Sequence, residues 1–364
     1  MRIDRSSETP QRPKARGAIS NPQGRFEGDA REAVDDGWTQ DDEAVADIAT
    51  TVTEERARSI ISLNDSPDIP FEQSINPYRG CEHGCSYCYA RPSHSYLELS
   101  PGLDFETKLF AKTNAAELLK AELAKPGYKV TPIMLGANTD CYQPIERKWK
   151  LTRQVLEILA ECGHPVTIVT KGALVERDLD LLGPMGRNHL VEVYVSIATL
   201  DRVVARRLEP RAASPQRRLD VIRALSSAGV PTGVLVAPII PALTDTTIEA
   251  VIEAAHGAGA SSADYTMLRL PNELKGLFRE WLATHYPLRA AHVMSIVRDM
   301  RGGRDNDPNF GSRMRGQGNF AELVRARFAL ARKRFGMERR SREKIDLDCT
   351  RFRAPVAGGQ MQLF

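Results

Sequence analysis

Cys81, Cys85 and Cys88 fall within eight residues, in the stretch RGCEHGCSYCYARPSH (79–94), with the spacing C-x3-C-x2-C. Thiolates ligate soft metals. Three on one loop can hold a zinc ion that takes its fourth ligand elsewhere, or the corner of an iron–sulfur cluster. A [4Fe-4S] cubane on three cysteines leaves one iron open to a small chelating molecule. For zinc, the fourth ligand would come from His83, His94 or Cys141, and the second cysteine pair that usually accompanies such sites is missing. Gly80 and Gly84 predict a backbone that passes close to bulky sulfur and iron. Tyr87, directly before the third cysteine, would pack against whatever the loop holds. Cys141 is a small residue suited to a buried site, and Cys162 and Cys349 receive no chemical role.

Such a loop needs a frame. The runs TPIMLGA (131–137), VTIVTK (166–171), VEVYVSIA (191–198), TGVLVAPII (232–240) and SADYTMLRL (262–270) read as buried strands. Between them, helical spacing predicts helices over 149–163, 217–229 and 246–259, with a short one at ALVERDLDLL and another near 319–337. The stretch DFETKLFAKTNAAELLKAELAKPG is predicted as one amphipathic helix, with leucines at 109, 118, 119 and 123. This alternation asks for an α/β fold with a mostly parallel sheet covered by helices. Periodicity fits a dinucleotide-binding layout and a barrel equally well, but no G-x-G-x-x-G follows the first strand. A barrel gathers the loops at the C-terminal ends of its strands. The cysteines, ANTD (137–140), Lys171 and SIATLD (196–201) all sit on such loops.

The bulk numbers set limits. A net charge of +3 on 364 residues is too weak to indicate nucleic acid by itself, and 42% apolar with 27% charged residues is an ordinary globular mixture. No apolar run reaches the roughly 18 residues of a membrane span, and the polar N-terminus has no signal-like core. A cytoplasmic, reducing setting is therefore expected, where clustered cysteines hold metal more often than disulfides. Residues 1–45 read as a largely disordered arm, with SNPQGRFE (20–27) as a segment that could lie ordered on the main domain. Residues 70–270 form the expected core, and 271–364 a C-terminal extension that serves as lid or substrate-binding region. In that extension and just before it, Arg269, Arg298, Arg301, Arg304, Arg313 and Arg315 with Phe310 could hold a nucleic-acid backbone and stack on a base. Glu273, Asp299, Asp305 and Asp307 dilute that field, and a charge-rich solvated face is the competing reading.

In its cysteine motif, the aromatic before the last cysteine and the strand–helix series that follows, the sequence resembles the radical S-adenosylmethionine (SAM) enzymes. NPYRGCEHGCSYCYARPSHSYLELSPGLDFETKLFAK, together with SNPQGRFE and the C-terminal FRAP, looks like a bacterial branch similar to spore photoproduct lyase. The resemblance implies a partial (β/α)6 TIM-type barrel and a [4Fe-4S] cluster on Cys81, Cys85 and Cys88. It implies that SAM chelates the open iron and is cleaved by one electron to methionine and a 5′-deoxyadenosyl radical. That radical would abstract hydrogen from a substrate. The electron would come from an external flavodoxin- or ferredoxin-like donor, and nucleic acid is a candidate substrate. The resemblance also assigns candidate cofactor contacts. Asn138, Thr139 and Asp140 would hold the methionyl amino group, and Lys171 the carboxylate. Ser196 would lie near the ligand. Glu209, in RRLEP, would pair with Arg206 or Arg207 or contact the ribose. The lyase's hydrogen-donating cysteine falls at Ala137 here, which puts photoproduct repair in doubt and leaves Cys141 a weak catalytic candidate. The competing readings are a zinc-stabilised nucleic-acid-binding module and a non-catalytic iron–sulfur protein.

Overall fold

The computed structural model describes residues 15–28, 48–337 and 347–355. Its strands, in chain order, are β1 (Thr51–Glu55), β2 (Ile61–Leu63), β3 (Gln73–Ile75), β4 (Tyr78–Arg79) and β5 (Lys108–Lys112). They continue with β6 (Ile133–Leu135), β7 (Val166–Thr170), β8 (Val191–Ser196), β9 (Thr232–Ile239) and β10 (Ser262–Met267). The main sheet runs β10-β9-β8-β7-β6-β3-β2, so its order in space follows the chain. Every neighbour from β3 to β10 is parallel, and β2 alone pairs antiparallel, on β3. Runs such as VTIVT and VEVYV are apolar on consecutive residues because helices cover one face and the core fills the other. Helix Leu151–Glu161 shows the matching helical logic. It buries Leu151, Val155, Leu156, Ile158 and Leu159 along one stripe and stops before Gly163, which takes φ +61°.

This is a mixed α/β fold with an open sheet: β10 and β2, the two edges, do not pair with each other. They are nevertheless brought together. Residues 301–317 pack along β10, with Met267 N–H donating to the Met314 carbonyl at 2.9 Å. From that segment Arg313 Nε reaches Asp68, in the loop after β2, at 2.6 Å. Asp68 is buried, and the Arg313 guanidinium overcomes the burial cost and holds its carboxyl below the usual range. An ion pair thus spans a gap that no strand closes.

The stretch predicted as one helix over 104–127 is divided. Asp104–Thr107 and Ala115–Leu123 are helical, but Lys108–Lys112 is β5, parallel to β1 and antiparallel to β4. The alternation in KLFAK places Leu109 and Ala111 inward, and two waiting strands offer ladder bonds that a helix would forfeit. This small sheet fixes the chain as it enters the cysteine loop.

Most of the arm expected over 1–45 falls outside the described residues. Within it, Asn21 and Asp104 exchange two hydrogen bonds (2.9 and 3.0 Å), Ser20 Oγ reaches Glu280 at 2.6 Å, and Phe26 stacks on Tyr96. At the other end of the chain, Asp348 N–H bonds the His189 carbonyl and Arg353 N–H the Cys162 carbonyl, both at 2.8 Å. His189 and Cys162 precede β8 and β7, so the FRAP segment lies at the N-terminal ends of these central strands. No helix among the described residues is long and apolar enough to cross a membrane.

Candidate active site

The cysteine loop is a succession of tight turns: Gly84 N–H bonds the Cys81 carbonyl, Cys88 N–H that of Cys85, and Arg91 N–H that of Cys88. Arg91, wholly buried, ties the loop down. Its Nε donates to the Cys85 carbonyl (2.9 Å), Nη1 to Gly102 (2.7 Å) and Nη2 to Glu106 (2.7 Å). Glu106 in turn accepts the backbone N–H groups of Gly17 (3.0 Å) and Ala18 (2.8 Å), so the N-terminal segment is bolted onto the loop. Gly84 has φ +64°, and a Cβ there would collide with the Glu106 carboxylate. The space this glycine leaves is filled by protein rather than reserved for sulfur and iron. Gln143 clamps the loop's entry, accepting from Glu82 N–H at 2.8 Å and donating to the Gly80 carbonyl at 3.1 Å.

Burial pushes the Cys81 thiol well above its usual pKa, and Asp140, Cys85 and Cys88 add to the shift. Burial likewise pushes Cys85 up to about 12, against a counter-pull from Lys171. Buried as they are, Cys81 and Cys85 ionise readily only when cations join them, which is what iron supplies. Among the described residues no group of three His, Cys, Asp or Glu side chains is placed to hold one metal ion. In a four-iron cluster each thiolate binds its own iron, so that convergence is not needed. Nor is a fourth zinc ligand at hand. His94 Nε2 is on the Lys108 carbonyl at 2.9 Å, His83 Nδ1 faces Asp140, and Cys141 lies in the core. The residues fit a cluster better than a zinc ion.

Beside the loop stands a ring of polar groups from three strand ends. Gly136, after β6, takes φ +87°, and a Cβ there would strike the Val169 carbonyl of β7. The next residues therefore turn over the edge of the sheet. Asp140 accepts from Thr170 Oγ1 (2.7 Å), Lys171 N–H (2.6 Å) and Tyr142 N–H (2.9 Å). His83 Nδ1 stands 3.2 Å from Asp140 Oδ2, at ion-pair range. Burial opposes its charge, but His83 and Lys171 hold the Asp140 carboxyl well below the usual range. Lys171 Nζ lies 5.9 Å from the Tyr87 ring centre. Burial opposes this cation too, and Cys85, Glu209 and Asp140 more than restore it. The Tyr87 hydroxyl donates to Glu209, which is buried against Arg218.

The Radical SAM superfamily model matches residues 75–255. An uncharacterized protein of Mycobacterium tuberculosis is 39% identical over 242 residues, covering 65% of this chain and 71% of that protein. The chain belongs to the radical SAM superfamily. An uncharacterized protein of Methanocaldococcus jannaschii is 30% identical over 171 residues, 47% of this chain and 61% of that one. The radical SAM Nalpha-GlyT isomerase of Pseudomonas phage M6 is 27% identical over 176 residues, 48% and 35% of the two chains. Among solved structures, spore photoproduct lyase complexed with dinucleoside spore photoproduct superposes with TM-score 0.58 at 18% identity, over 79% of this chain and 81% of that one. That likeness is one of fold.

In this radical SAM chain the residues marked in the sequence divide. Tyr87, Lys171 and Glu209 come together around Cys85, and Asp140 lies beside Cys81 and Lys171. Asp140 has its acceptor sites taken by protein groups, so it braces two loops. Asn138 presents its amide at the same edge, with only a 3.5 Å contact to Ser93 Oγ, while Asn76 Oδ1 holds its backbone N–H at 2.9 Å. Thr139 is buried and donates to the Tyr78 carbonyl at 3.3 Å. Ser196 is buried, with its hydroxyl on the Ala237 carbonyl (3.2 Å) and its own carbonyl on Arg218 (2.8 Å). Glu209 pairs with neither Arg206 nor Arg207 but with Arg218. Those two arginines lie on helix Arg202–Leu208, whereas Glu209 follows its end at φ −140° and turns inward. Cys141 has no exposed surface and packs its side chain in the main core, next in the chain to Asp140.

Sequence reasoning passed over Arg91, Glu106, Gln143, Asn76, Arg218 and Tyr89. Each works through partners distant in sequence, and only Tyr89, adjoining Cys88, carried a local signal. The Tyr89 hydroxyl donates to the Ala137 carbonyl, its ring is half exposed, and the Arg269 guanidinium lies 5.7 Å above it. Of the other arginines marked, Arg301 is buried on backbone carbonyls and Arg298 is paired with Asp305.

Proposed function

We propose that this chain is a radical SAM enzyme that binds a [4Fe-4S] cluster through Cys81, Cys85 and Cys88 and acts on a nucleic-acid substrate. The observation that carries the first part is the ring itself: buried Cys81 and Cys85, half-buried Cys88, Lys171 and Asp140 beside the ends of parallel strands in an open sheet. Bound cluster and SAM supply one-electron cleavage to methionine and a 5′-deoxyadenosyl radical that takes hydrogen from the substrate. An external flavodoxin- or ferredoxin-like protein provides the electron.

The chain's own residues do the positioning. Lys171 Nζ makes no hydrogen bond or ion pair among the described residues and offers a compact charge to the methionyl carboxylate. The Asn138 side-chain oxygen and neighbouring carbonyls accept from the methionyl ammonium. Asp140 sets the distance between these two loops. Tyr87, held by Glu209, walls the cofactor from the outer surface. Arg91 and Glu106 keep the cysteine turns closed against solvent.

The substrate reading rests on a ladder along the rim. Exposed Tyr89 lies under Arg269, Arg269 interacts with Arg313, and Arg313 lies 4.6 Å over exposed Phe310. Burial and Arg313 lower the Arg269 pKa, no carboxylate pairs with it among the described residues, and its Nε is buried without a partner. Tyr89 and Phe310 suit the bases of a single strand and Arg269 its phosphates, while Arg313, paired with Asp68, backs the Phe310 ring. The dinucleoside spore photoproduct bound in the structural relative points the same way. Ala137 in place of a cysteine argues for a reaction other than photoproduct repair. To test the reading, the reconstituted protein would be incubated with SAM, dithionite and perdeuterated single- or double-stranded oligonucleotides. Deuterium in the 5′-deoxyadenosine is the expected result. SAM cleavage without deuterium transfer from any nucleic acid would leave the enzyme class standing and overturn the substrate.

A further inference from the structure

The short helix Arg202–Leu208 and the turn after it are bonded directly to the cysteine loop. The Leu208 carbonyl accepts from Ser86 N–H at 2.9 Å, and Arg211 N–H donates to the His83 carbonyl at 3.3 Å, so the two bonds bracket Cys85. The outer side of this helix is basic. Arg202 and Arg206 are exposed, and Arg207 is half-buried with Nη1 on the His285 carbonyl at 3.2 Å and its guanidinium 5.0 Å over Tyr286. None of the three has a carboxylate partner among the described residues, whereas the neighbouring Arg211 and Arg218 are paired with Glu82 and Glu209. The acid on the strip, Asp201, caps the helix, accepting from Val203 and Val204 N–H at 2.8 and 3.0 Å. Three guanidiniums less one carboxylate leave +2 here, against +3 for the whole chain. Val203, 59% exposed, sits among the arginines, and together they line an open cleft of about 730 Å³. The Glu209–Arg218 pair forms part of its wall, and Glu209 holds the Tyr87 hydroxyl, so the cleft approaches Cys85 from behind that pair.

We propose that this strip is the docking surface for a small acidic one-electron carrier protein. The inference rests on the proposed function, which requires an electron to enter the cluster from outside. The carrier's reduced centre loses one electron and the cluster gains it, with no bond made or broken. Charge complementarity steers the encounter, Val203 supplies an apolar contact at its centre, and the Leu208–Ser86 bond carries a short path to Cys85. A substrate strand is a poorer occupant, because no aromatic residue lines the cleft to stack on a base.

The test is the double variant Arg202→Glu/Arg206→Glu, both positions exposed and outside the binding machinery. Binding of oxidised flavodoxin and of a [2Fe-2S] ferredoxin to the full chain would be measured by titration at low and high salt. Cluster reduction by each reduced carrier, and by dithionite, would be followed by absorbance. The wild type is expected to bind at least one carrier, and the variant to bind and be reduced by it roughly tenfold or more weakly at low salt. The difference should shrink as salt screens the charges, with reduction by dithionite within about twofold of wild type. Unchanged carrier binding in the variant, or no binding of either carrier by the wild type, overturns the proposal. So does a variant that loses affinity for a single-stranded oligonucleotide while keeping the carrier. A protein that takes up no cluster, or that dithionite reduces without SAM cleavage, instead fails the proposed function.

Discussion

Glu209→Gln isolates the most deeply buried charge in the ring. Arg218 is 2% exposed, with Nη1 on Ser196, Nε on Ala213 and Nη2 on Glu209. The amide keeps the shape and can still accept from Tyr87, but it leaves the guanidinium uncompensated. Removing one partner of a buried pair costs about 3–5 kcal/mol. At about 2.1 cal/mol/K per residue over 364 residues, the unfolding entropy is roughly 0.76 kcal/mol/K. The melting temperature should therefore fall by about 4–7 °C. Scanning calorimetry of the reduced, iron-free protein reads this shift without involving catalysis. Adding Arg218→Gln removes the stranded charge, so the double variant should lose less than the sum of the two singles. A single-variant shift under about 1 °C, or strictly additive losses, would refute the reasoning, since either would mean that the pair is solvated or uncoupled.

Two further outcomes are expected. His164 has no exposed surface, and burial holds its imidazole down to about 4. The unfolded chain, at about 6.5, takes the proton first, so this contribution is intact above about pH 6.5 and is lost as pH falls towards 4, by roughly 3 kcal/mol. Urea midpoints from pH 7 to 4.5 should show that slope in the wild type and a shallower one in His164→Gln, and equal slopes would contradict it. Cys141→Ala should lower stability by about 1 kcal/mol through a small core cavity while leaving iron content and SAM cleavage unchanged. Loss of cleavage at normal iron content would place that thiol at the reaction after all.

The cysteine motif was legible because its three ligands are local: the spacing alone sets them on one loop. The strand series was legible for the same reason, since VTIVT or VEVYV can be buried only as covered strands. Reading failed where a distant partner decides. Lys108–Lys112 matches a helical leucine pattern until β1 and β4 offer it ladder bonds. Glu209 was expected on Arg206 or Arg207 because they are near in sequence, yet the helix end turns it to Arg218. Asp140 carried the right residue type for a ligand contact, but its oxygens are taken by Thr170, Lys171 and Tyr142, groups that only the folded sheet brings near. Arg313 was marked for nucleic acid, and its pairing with Asp68, 245 residues away, is invisible to any local pattern. What remained unreadable in each case was the satisfaction of a buried charge.

On the proposed function, Cys81, Cys85 and Cys88 hold a four-iron cluster to which SAM binds and at which it is cleaved. The most direct measurement is anaerobic reconstitution with iron and sulfide, followed by electron paramagnetic resonance of the reduced protein with and without SAM and mass detection of 5′-deoxyadenosine. The expected result is a brown protein with about four irons per chain, a resonance that shifts when SAM is added, and 5′-deoxyadenosine that disappears when any one of the three cysteines becomes alanine. A colourless protein that retains zinc, or a brown one whose resonance ignores SAM and which yields no 5′-deoxyadenosine, would contradict it.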